Sequence, residues 1–203
     1  TGAACLKASL EAGEVTTVSK INTIADGTAV QTPGDKLFPY LQANVDQVIT
    51  VDDSELTLSF LDMAENHKMI VENSGLLTVA ALKHLDFKGK KVVSVLSGGN
   101  MDVLTMATVV QNGLMQRDRI FTVSVMLPDK PGQLAAVSAL IAKEQGNVIK
   151  LEHNVFANVN RTAGVELTIT LESFGTEHKD QIIKALEAAG YCPVITKTNG
   201  IYM

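Results

Sequence analysis

The sequence has no tryptophan, only 3 Tyr and 6 Phe, and two cysteines. Scarce aromatic rings and the lack of a basic run argue against a nucleic-acid surface, which stacks bases and attracts phosphates. Cys5 and Cys192 are too few for a disulfide scaffold. Because the sequence also has no bilayer-length apolar run and no secretory signal, we expect a cytoplasmic protein with reduced thiols that binds neither nucleic acid nor membrane.

The charges divide the chain into two unlike parts. Residues 1–116 contain 8 Lys and 13 Asp or Glu, whereas residues 117–203 contain 9 residues of each sign. A charged junction separates the parts, and we predict one domain over residues 1–117 and a second over 118–203. The chain starts at Thr1 without an initiator Met, so we expect it to be a piece of a longer protein.

The stretch KVVSVLSGGNMD at residues 91–102 combines an apolar run with a polar turn. The run predicts a strand that is buried on both faces, and a helix is predicted from Met101 onwards. Ligands bind at the carboxyl ends of such strands in open α/β sheets, and glycines allow the backbone to approach a ligand closely. This stretch is therefore a candidate site, although a plain turn between strand and helix has the same pattern.

Strands and helices are predicted to alternate through the first half, which is typical of a parallel sheet with flanking helices. Residues 45–51 and 69–71 are two further predicted strands, and Asp52 with Glu55 predicts a capping box that opens a helix. We expect Glu72, at the end of one strand, to converge with the 97–100 turn and the 25–27 loop. For Glu72 a helix-capping role remains an alternative.

The second half predicts the order β-α-β-β-α-β, which is that of a ferredoxin-like α+β fold. The strands are expected at 120–127, 148–156, 164–172 and 194–197, and the helices at 133–145 and 176–189. A polar turn over 157–162 is expected to join the second and third strands.

The motifs IADGT at 24–28, IVENSGLLTVAAL at 70–82 and VVSVLSGGNMD at 92–102 resemble the carboxy-terminal half of the catalytic domain of threonine dehydratases, which are fold-type-II pyridoxal-phosphate enzymes. The resemblance implies that Ser97 holds the pyridine nitrogen and that Gly98 and Gly99 give the ring room. It also implies that Asn100 orders the turn, that Glu72 lies beside the ring, and that Gly27 brings backbone against it.

The resemblance also shows what this sequence does not contain. The family's Schiff-base lysine motif and its glycine-rich phosphate loop have no counterpart here, so we expect no catalytic residue in this chain and no activity from the chain alone. The amino-terminal half of the catalytic domain is the expected partner, and L-threonine, with serine as a secondary substrate, is the expected substrate. The divalent-cation positions of some relatives fall on Ala3 and Cys5, and because cysteine suits magnesium and calcium poorly, we expect no metal.

DKPGQLAAVSALIAKEQGNVIKL at 129–151, with the layout of the second half, resembles an ACT domain, a small amino-acid-sensing module. A helix that starts after Pro131-Gly132 offers free N–H groups to a carboxylate. The resemblance implies a homo-oligomer formed through ACT domains and an effector such as isoleucine or valine. The candidate effector residues, for which ordinary turn and cap roles are the alternative, are Asp129, Gly132, Gln133, Leu134 and Asn147.

Two other interpretations remain open at the level of sequence. The chain could be a non-catalytic amino-acid-binding regulatory module, which the absent lysine favours and which Ser97 and Glu72 oppose. It could also derive from a serine racemase or serine dehydratase, but the attached ACT-like half and Cys5 weaken the racemase interpretation. The leading prediction is therefore the carboxy-terminal part of a threonine ammonia-lyase with a regulatory domain.

Overall fold

A computed structural model describes residues 1–154 and 164–198 of the chain. The chain divides into two compact units, Thr1–Gly113 and Leu114–Met203. The division lies four residues before the boundary expected from the sequence. No helix in the described ranges is long and apolar enough to cross a membrane.

The first unit consists of helices and extended segments. Helix α1 ends at Gly13, whose φ of 76° provides the left-handed conformation that closes many helices. Asp52 and Glu55 form the predicted capping box at the start of α3, where the Asp52 N–H donates to Glu55 Oε2 at 2.8 Å. The α-helices are α1 (Cys5–Ala12), α2 (Phe38–Asn44), α3 (Asp53–Asp62), α4 (Leu77–Ala80) and α5 (Val103–Gln116).

Short 3₁₀-helical and π-helical turns extend two of these helices. A π-helical turn over Met63–His67 continues α3, so the helical segment that the capping box opens extends to His67. Two 3₁₀ turns, Asn73–Leu76 and Ala81–His84, flank α4 and make a longer helical segment with it. The core of this unit packs around α3 and consists of Ala25, Val51, Leu56, Phe60, Met63, Val71, Leu76, Ala80 and Val109.

The predicted strands of the first unit do not form a hydrogen-bonded ladder in the structure. Residues 45–51, 69–71 and 92–96 carry no strand assignment. The expectation that 92–96 is buried on both faces is wrong for this chain, because Val93 is 89% exposed and Val95 is 66% exposed. A strand exists only when a neighbour satisfies its backbone groups, and a buried face requires a covering layer.

The second unit confirms the predicted β-α-β-β-α-β order. Its sheet has the strand order β2-β3-β1-β4, and every pairing within it is antiparallel. The elements are β1 (Ile120–Leu127), α6 (Gln133–Lys143), β2 (Asn147–Asn154), β3 (Val165–Glu172), α7 (Thr176–Ala188) and β4 (Val194–Thr196). The predicted polar turn between β2 and β3, with the end of the second predicted strand, lies outside the described residues.

Alternating residues of the two central strands build the core of the second unit. Strands β1 and β3 direct every second side chain towards helices α6 and α7, as the two-residue period of a strand requires. The buried cluster contains Phe121, Val123, Val125, Leu127, Val137, Ile141, Leu167, Ile169, Leu171, Ile182 and Leu186. This unit therefore completes a closed hydrophobic core within its own sequence.

Asp118 attaches the start of the second unit to helix α7. Its backbone is left-handed, with φ of 54°, and its carboxylate accepts hydrogen bonds from Lys179 Nζ and Thr176 Oγ1, each at 2.8 Å. Burial acts to raise the pKa of the Asp118 carboxyl, but the hydrogen bonds from Lys179 and Thr176 and the charge of Lys179 outweigh it and lower that pKa. The ionised form is thus the one that the folded protein stabilises.

We expect Asp118→Asn to lower the free energy of unfolding at pH 7 by about 1 kcal/mol, because the charge-assisted bond to Lys179 is lost. A lowered folded-state pKa stabilises the protein above the ordinary carboxyl pKa of 3.8, and this contribution disappears as the pH falls through the folded value. Urea unfolding should therefore show a difference between variant and parent at pH 7 that narrows as the pH is lowered below 3.8. Asp180→Asn, at an exposed position of α7, is the matched control, and a difference that stays equal as the pH is lowered would contradict the assignment.

Candidate functional site

The turn at residues 97–102 connects an extended segment to helix α5. Gly98 has φ of 77°, a conformation that side-chain-bearing residues rarely adopt. Asp102 closes the turn by accepting hydrogen bonds from the Leu104 and Thr105 N–H groups, both at 2.9 Å. Hydrogen bonds from the side chain and backbone of Thr105 hold the pKa of the Asp102 carboxyl below its ordinary value.

The Glu72 carboxylate packs directly against this turn. A Cβ atom built on Gly98 would lie 2.1 Å from Glu72 Oε1, so any other residue there would displace the Glu72 carboxylate as well as strain the backbone. Glu72 Oε2 accepts a hydrogen bond from the Asn100 N–H at 3.2 Å, and the Glu72 N–H donates to the Gly98 carbonyl at 3.4 Å. The structure therefore brings together Glu72, Gly98 and Asn100, three of the residues predicted to form the site.

The loop that contains Gly27 lies against the same carboxylate. A Cβ atom on Gly27 would lie 2.8 Å from Ser74 Oγ and 3.8 Å from Glu72 Oε1. The Asn73 side chain holds this loop, since its Nδ2 donates to the Ile24 carbonyl at 3.1 Å. Gly27 thus joins the cluster through backbone that approaches closely, as the sequence predicted.

Ser97 and Gly99 contact the cluster differently. The Ser97 carbonyl lies 1.7 Å from where a Cβ of Gly75 would be, while Ser97 itself is exposed. A hydroxyl at that position can donate or accept a hydrogen bond. Gly99 is more open, because the nearest atom to a Cβ built there is the Ile70 carbonyl oxygen at 4.0 Å.

Three further residues belong to this cluster although the sequence analysis assigned them no role. Gly75 is required because the Ser97 carbonyl excludes any side chain there. Asn73 is 4% exposed and joins the 24–27 loop, and Ser74 Oγ is buried without a hydrogen-bond partner in the described part of the chain. The available sequence signal was the run of small and polar residues that follows the predicted strand.

A cavity of about 450 Å³ opens beside Glu72 and Asn100. The carboxylates of Asp26, Glu72 and Asp102 line it, and its wall has no lysine or arginine, so its lining has a negative charge. Ser97 does not line this cavity. The remaining lining residues are Thr23, Ile24, Thr57, Asn73, Met101, Leu104, Thr105, Thr108, Val109 and Asn112.

In the second unit the start of helix α6 has the expected form. Gly132 precedes the helix with φ of 90°, and no atom of the described residues lies within 4 Å of a Cβ built on it. Among the described residues no side chain caps this helix. The Gln133 N–H donates to the Lys130 carbonyl at 3.4 Å, and the Leu134 N–H lies in the first turn, where an α-helix provides no intrahelical acceptor. Asp129, just before this turn, is exposed.

Asn147 lies at the opposite end of the sheet from that helix start. It pairs with Glu172 in β3, Glu172 pairs with Ile120 at the beginning of β1, and Asp129 follows the end of β1. A strand of this length spans about 23 Å at roughly 3.3 Å per residue. The Asn147 Nδ2 also donates to Glu172 Oε2 at 3.0 Å. Within one chain, Asn147 is therefore separated from the other predicted effector residues.

Sequence models of two families match the chain. Residues 1–98 match the pyridoxal-phosphate dependent enzyme family, and residues 121–190 match the ACT domain. The enzymes of the first family use pyridoxal phosphate. The cluster is compatible with that cofactor, because Gly27 and Gly98 leave backbone free of side chains and the buried Ser74 Oγ has no hydrogen-bond partner among the described residues. The exposed Ser97 offers a neutral hydroxyl at the same turn. Glu72 is held beside them by the Asn100 N–H.

Proteins of known activity are similar to most of the chain. L-threonine ammonia-lyase of Geobacter sulfurreducens is 36% identical over 192 residues, which are 93% of this chain and 48% of that protein. L-threonine ammonia-lyase of Thermotoga maritima is 34% identical over 185 residues, or 91% of this chain and 46% of that protein. The chain spans about half the length of the curated relatives it matches.

A solved structure supports the same relationship. The processed form of threonine deaminase isoform 2 from Solanum lycopersicum aligns with a TM-score of 0.50 and 26% identity over 55% of this chain and 34% of that chain. The expected fold, part of a fold-type-II catalytic domain followed by an ACT domain, is confirmed. The chain therefore fits a carboxy-terminal fragment of a threonine dehydratase, with residues 1–98 matching the pyridoxal-phosphate dependent enzymes and residues 121–190 matching the ACT domain.

Proposed function

We propose that this chain is the carboxy-terminal part of a cytoplasmic, pyridoxal-phosphate-dependent L-threonine ammonia-lyase that forms 2-oxobutanoate and ammonia. The observation that carries this proposal is the convergence of Glu72, Gly98, Asn100 and Gly27 at one end of the extended segment that leads to Ser97. The chain's similarity to two L-threonine ammonia-lyases supports the choice of substrate. Serine is a secondary substrate, because a pocket that accepts the threonine methyl group discriminates weakly against its absence.

The residues of this chain orient the cofactor. When bound, pyridoxal phosphate acts as an electron sink for the bond that breaks at the amino acid's α-carbon. The Ser97 hydroxyl would hold the pyridine nitrogen, and because a hydroxyl is neutral, it would not favour a protonated ring as a carboxylate would. Glu72 stays in place beside the ring through the Asn100 N–H, while Gly98 and Gly27 leave the space that a side chain would fill.

The isolated chain is inactive under this proposal. The family's cofactor-binding lysine motif and glycine-rich phosphate loop have no counterpart among the 203 residues. The amino-terminal half of the catalytic domain supplies both, and the relatives are about twice as long as the stretch that matches this chain. The chain's role in catalysis is to complete one side of the cofactor pocket.

The second unit acts as an amino-acid sensor that works in pairs. The uncapped start of α6 binds the effector's carboxylate through its N–H groups and dipole, and Asp129 binds the ammonium group. Asn147 lies about 23 Å away at the other end of the sheet, so the contribution of Asn147 comes from a second copy. Strand β2 is at the edge of the sheet, where antiparallel pairing with another β2 brings the two ends together.

The effector is a branched-chain amino acid, isoleucine or valine. The half-exposed Leu134 in the first turn of α6 provides an apolar contact for such a side chain. The effector changes activity by binding one arrangement of the oligomer more tightly than another. A homo-oligomer assembled through the ACT domains follows from this arrangement.

A second function is favoured by the separate, closed core of the second unit. That unit completes its own hydrophobic cluster, so it can bind amino acids as a regulatory module without any catalysis. Calorimetry of the chain with isoleucine, valine, threonine and serine, together with its absorbance after incubation with pyridoxal phosphate, distinguishes the two. If the chain binds an effector but shows no lyase activity when an amino-terminal half is added, the result supports the regulatory module. Lyase activity in that mixture supports the lyase.

We expect Ser97→Ala to weaken cofactor binding about tenfold in the assembled enzyme, because one hydrogen bond to the ring nitrogen is lost. The measurement is fluorescence titration of the apoenzyme with pyridoxal phosphate, and the lyase rate should fall as well. Ser54→Ala, which removes an exposed hydroxyl on α3, is the control and should leave both quantities unchanged. Equal cofactor affinity in Ser97→Ala and the parent would refute the role of Ser97.

A mixing experiment tests the shared effector site. Asp129→Ala and Asn147→Ala should each abolish calorimetric binding of isoleucine or valine, because each homodimer lacks one half of both sites. Mixed protomers should regain about one quarter of the sites, since a heterodimer contains one site with both native residues. Asp180→Ala is the control that binds normally. No recovery on mixing would show that both residues act within one copy or that neither binds the effector.

A further inference from the structure

The loop at residues 23–28, called here the Gly27 loop, is bound on one side by the carboxylate of Asp53. Thr23 Oγ1 donates to Asp53 Oδ1 at 2.6 Å, and the Ile24 N–H donates to Asp53 Oδ2 at 3.0 Å. Both oxygens of one carboxylate thus accept from two successive residues of the loop. Hydrogen bonds to a charged acceptor are the stronger kind, and two of them fix the orientation of the loop as well as its distance from α3.

Helix α3 does not need the Asp53 side chain as a cap. Asp53 is the first residue of α3, and the capping box of Asp52 and Glu55 already satisfies the start of the helix. The positive end of the helix dipole favours a negative charge at this position. The helix therefore stabilises the Asp53 carboxylate, while both of its oxygens serve the Gly27 loop.

A second side chain holds the same part of the loop from another segment. Asn73 Nδ2 donates to the Ile24 carbonyl at 3.1 Å, so the N–H and the C=O of Ile24 are both bound by side chains from elsewhere in the first unit. Thr23 Oγ1 also accepts from the Ala25 N–H at 3.1 Å, and Ala25 is buried in the core. The backbone at residues 24 and 25 is therefore clamped.

This clamp directly precedes the glycine that approaches the candidate site. A 3₁₀ turn over Asp26–Thr28 follows, and the N–H and Oγ1 of Thr28 both donate back to the Ala25 carbonyl, at 3.1 and 3.0 Å. Gly27, inside that turn, lies so close to Ser74 that a Cβ built on Gly27 would be 2.8 Å from Ser74 Oγ. Because the turn closes on Ala25, a shift of the clamp moves Gly27 with it.

We propose that Asp53 is a positioning residue of the cofactor pocket, which holds the Gly27 loop where Gly27 meets the cofactor beside Glu72. This inference rests on the proposed function, because the pocket is the one that this function requires. It deepens that function by giving a part in cofactor binding to a side chain on α3, outside the three motifs that resemble the family.

A contribution to the stability of the fold alone is the competing explanation for the Asp53 contacts. Loss of such a contribution would affect the whole first unit equally, whereas loss of a positioning contact changes the Gly27 loop and the cofactor affinity. Thr23 and Asp53 share one hydrogen bond, so their substitutions should also be coupled. These differences make the two explanations separable by experiment.

Amide hydrogen exchange of the free chain tests the clamp. In Asp53→Asn we expect exchange at Ile24 and Ala25 to become about tenfold faster, because the amide offers one acceptor oxygen instead of two and has no charge. Exchange within α3 should change by less than about twofold, since the capping box remains. Asp46→Asn, at an exposed position of the same unit, is the matched control and should exchange like the parent.

Cofactor affinity is measured in a chimaera in which this chain replaces the matching carboxy-terminal part of L-threonine ammonia-lyase of Geobacter sulfurreducens. Fluorescence titration of the apo chimaera with pyridoxal phosphate should show affinity about tenfold weaker for Asp53→Asn and about fivefold weaker for Thr23→Val. Thr23→Ser, which keeps the hydroxyl, should recover most of the affinity that Thr23→Val loses. The double variant should lose less than the product of the two single losses, because both single changes break the same bond.

The proposal is overturned if Asp53→Asn exchanges at residues 24 and 25 like Asp46→Asn, or if it binds the cofactor as tightly as the parent chimaera. It is also overturned if exchange rises equally throughout the first unit, or if Thr23→Ser binds as weakly as Thr23→Val, because the contacts then stabilise the fold alone. A parent chimaera that binds no cofactor contradicts the proposed function and this inference together. A failure confined to the variants, with a parent that binds, contradicts only the role of Asp53.

Discussion

The contact between the Glu72 carboxylate and the backbone of Gly98 and Asn100 is the interaction on which the candidate site depends. It holds because Gly98 has no side chain, so the carboxylate approaches to a distance that a Cβ atom would forbid. Gly27 and Gly75 permit two further close approaches, to Ser74 and to the Ser97 carbonyl. Three chain segments far apart in sequence thus meet where polar side chains contact backbone, and glycine makes the closest of these approaches possible.

The two units differ in how completely their own residues pair their strands and cover their apolar side chains. The second unit pairs all its strands within itself and closes its core between the sheet and helices α6 and α7. The first unit packs its helices around α3, but the three valines of the segment Val92–Leu96 are exposed. This contrast follows from the range of the contacts, because an antiparallel sheet can be built from neighbouring segments whereas parallel strands need partners further along the chain.

In the function proposed above, effector binding depends on the symmetric pairing of two copies of the second unit. The uncapped start of α6 and Asn147 lie at opposite ends of one sheet, so a single copy offers two half-sites rather than one site. Two copies that pair along strand β2 make two equivalent sites, and an effector that binds both stabilises the pair. The effector then favours one oligomer arrangement over another.

The sequence alone determined the order of elements in the second unit, the capping box at Asp52 and Glu55, and the family, because these depend on local periodicity and on short motifs. It also predicted that Glu72, Gly98, Asn100 and Gly27 meet. Only the tertiary structure revealed that Gly75, Asn73 and Ser74 join them, that Asn147 lies far from Asp129, and that residues 92–96 are exposed rather than buried. Those facts depend on contacts between distant segments and on which partners a strand finds, which periodicity does not record.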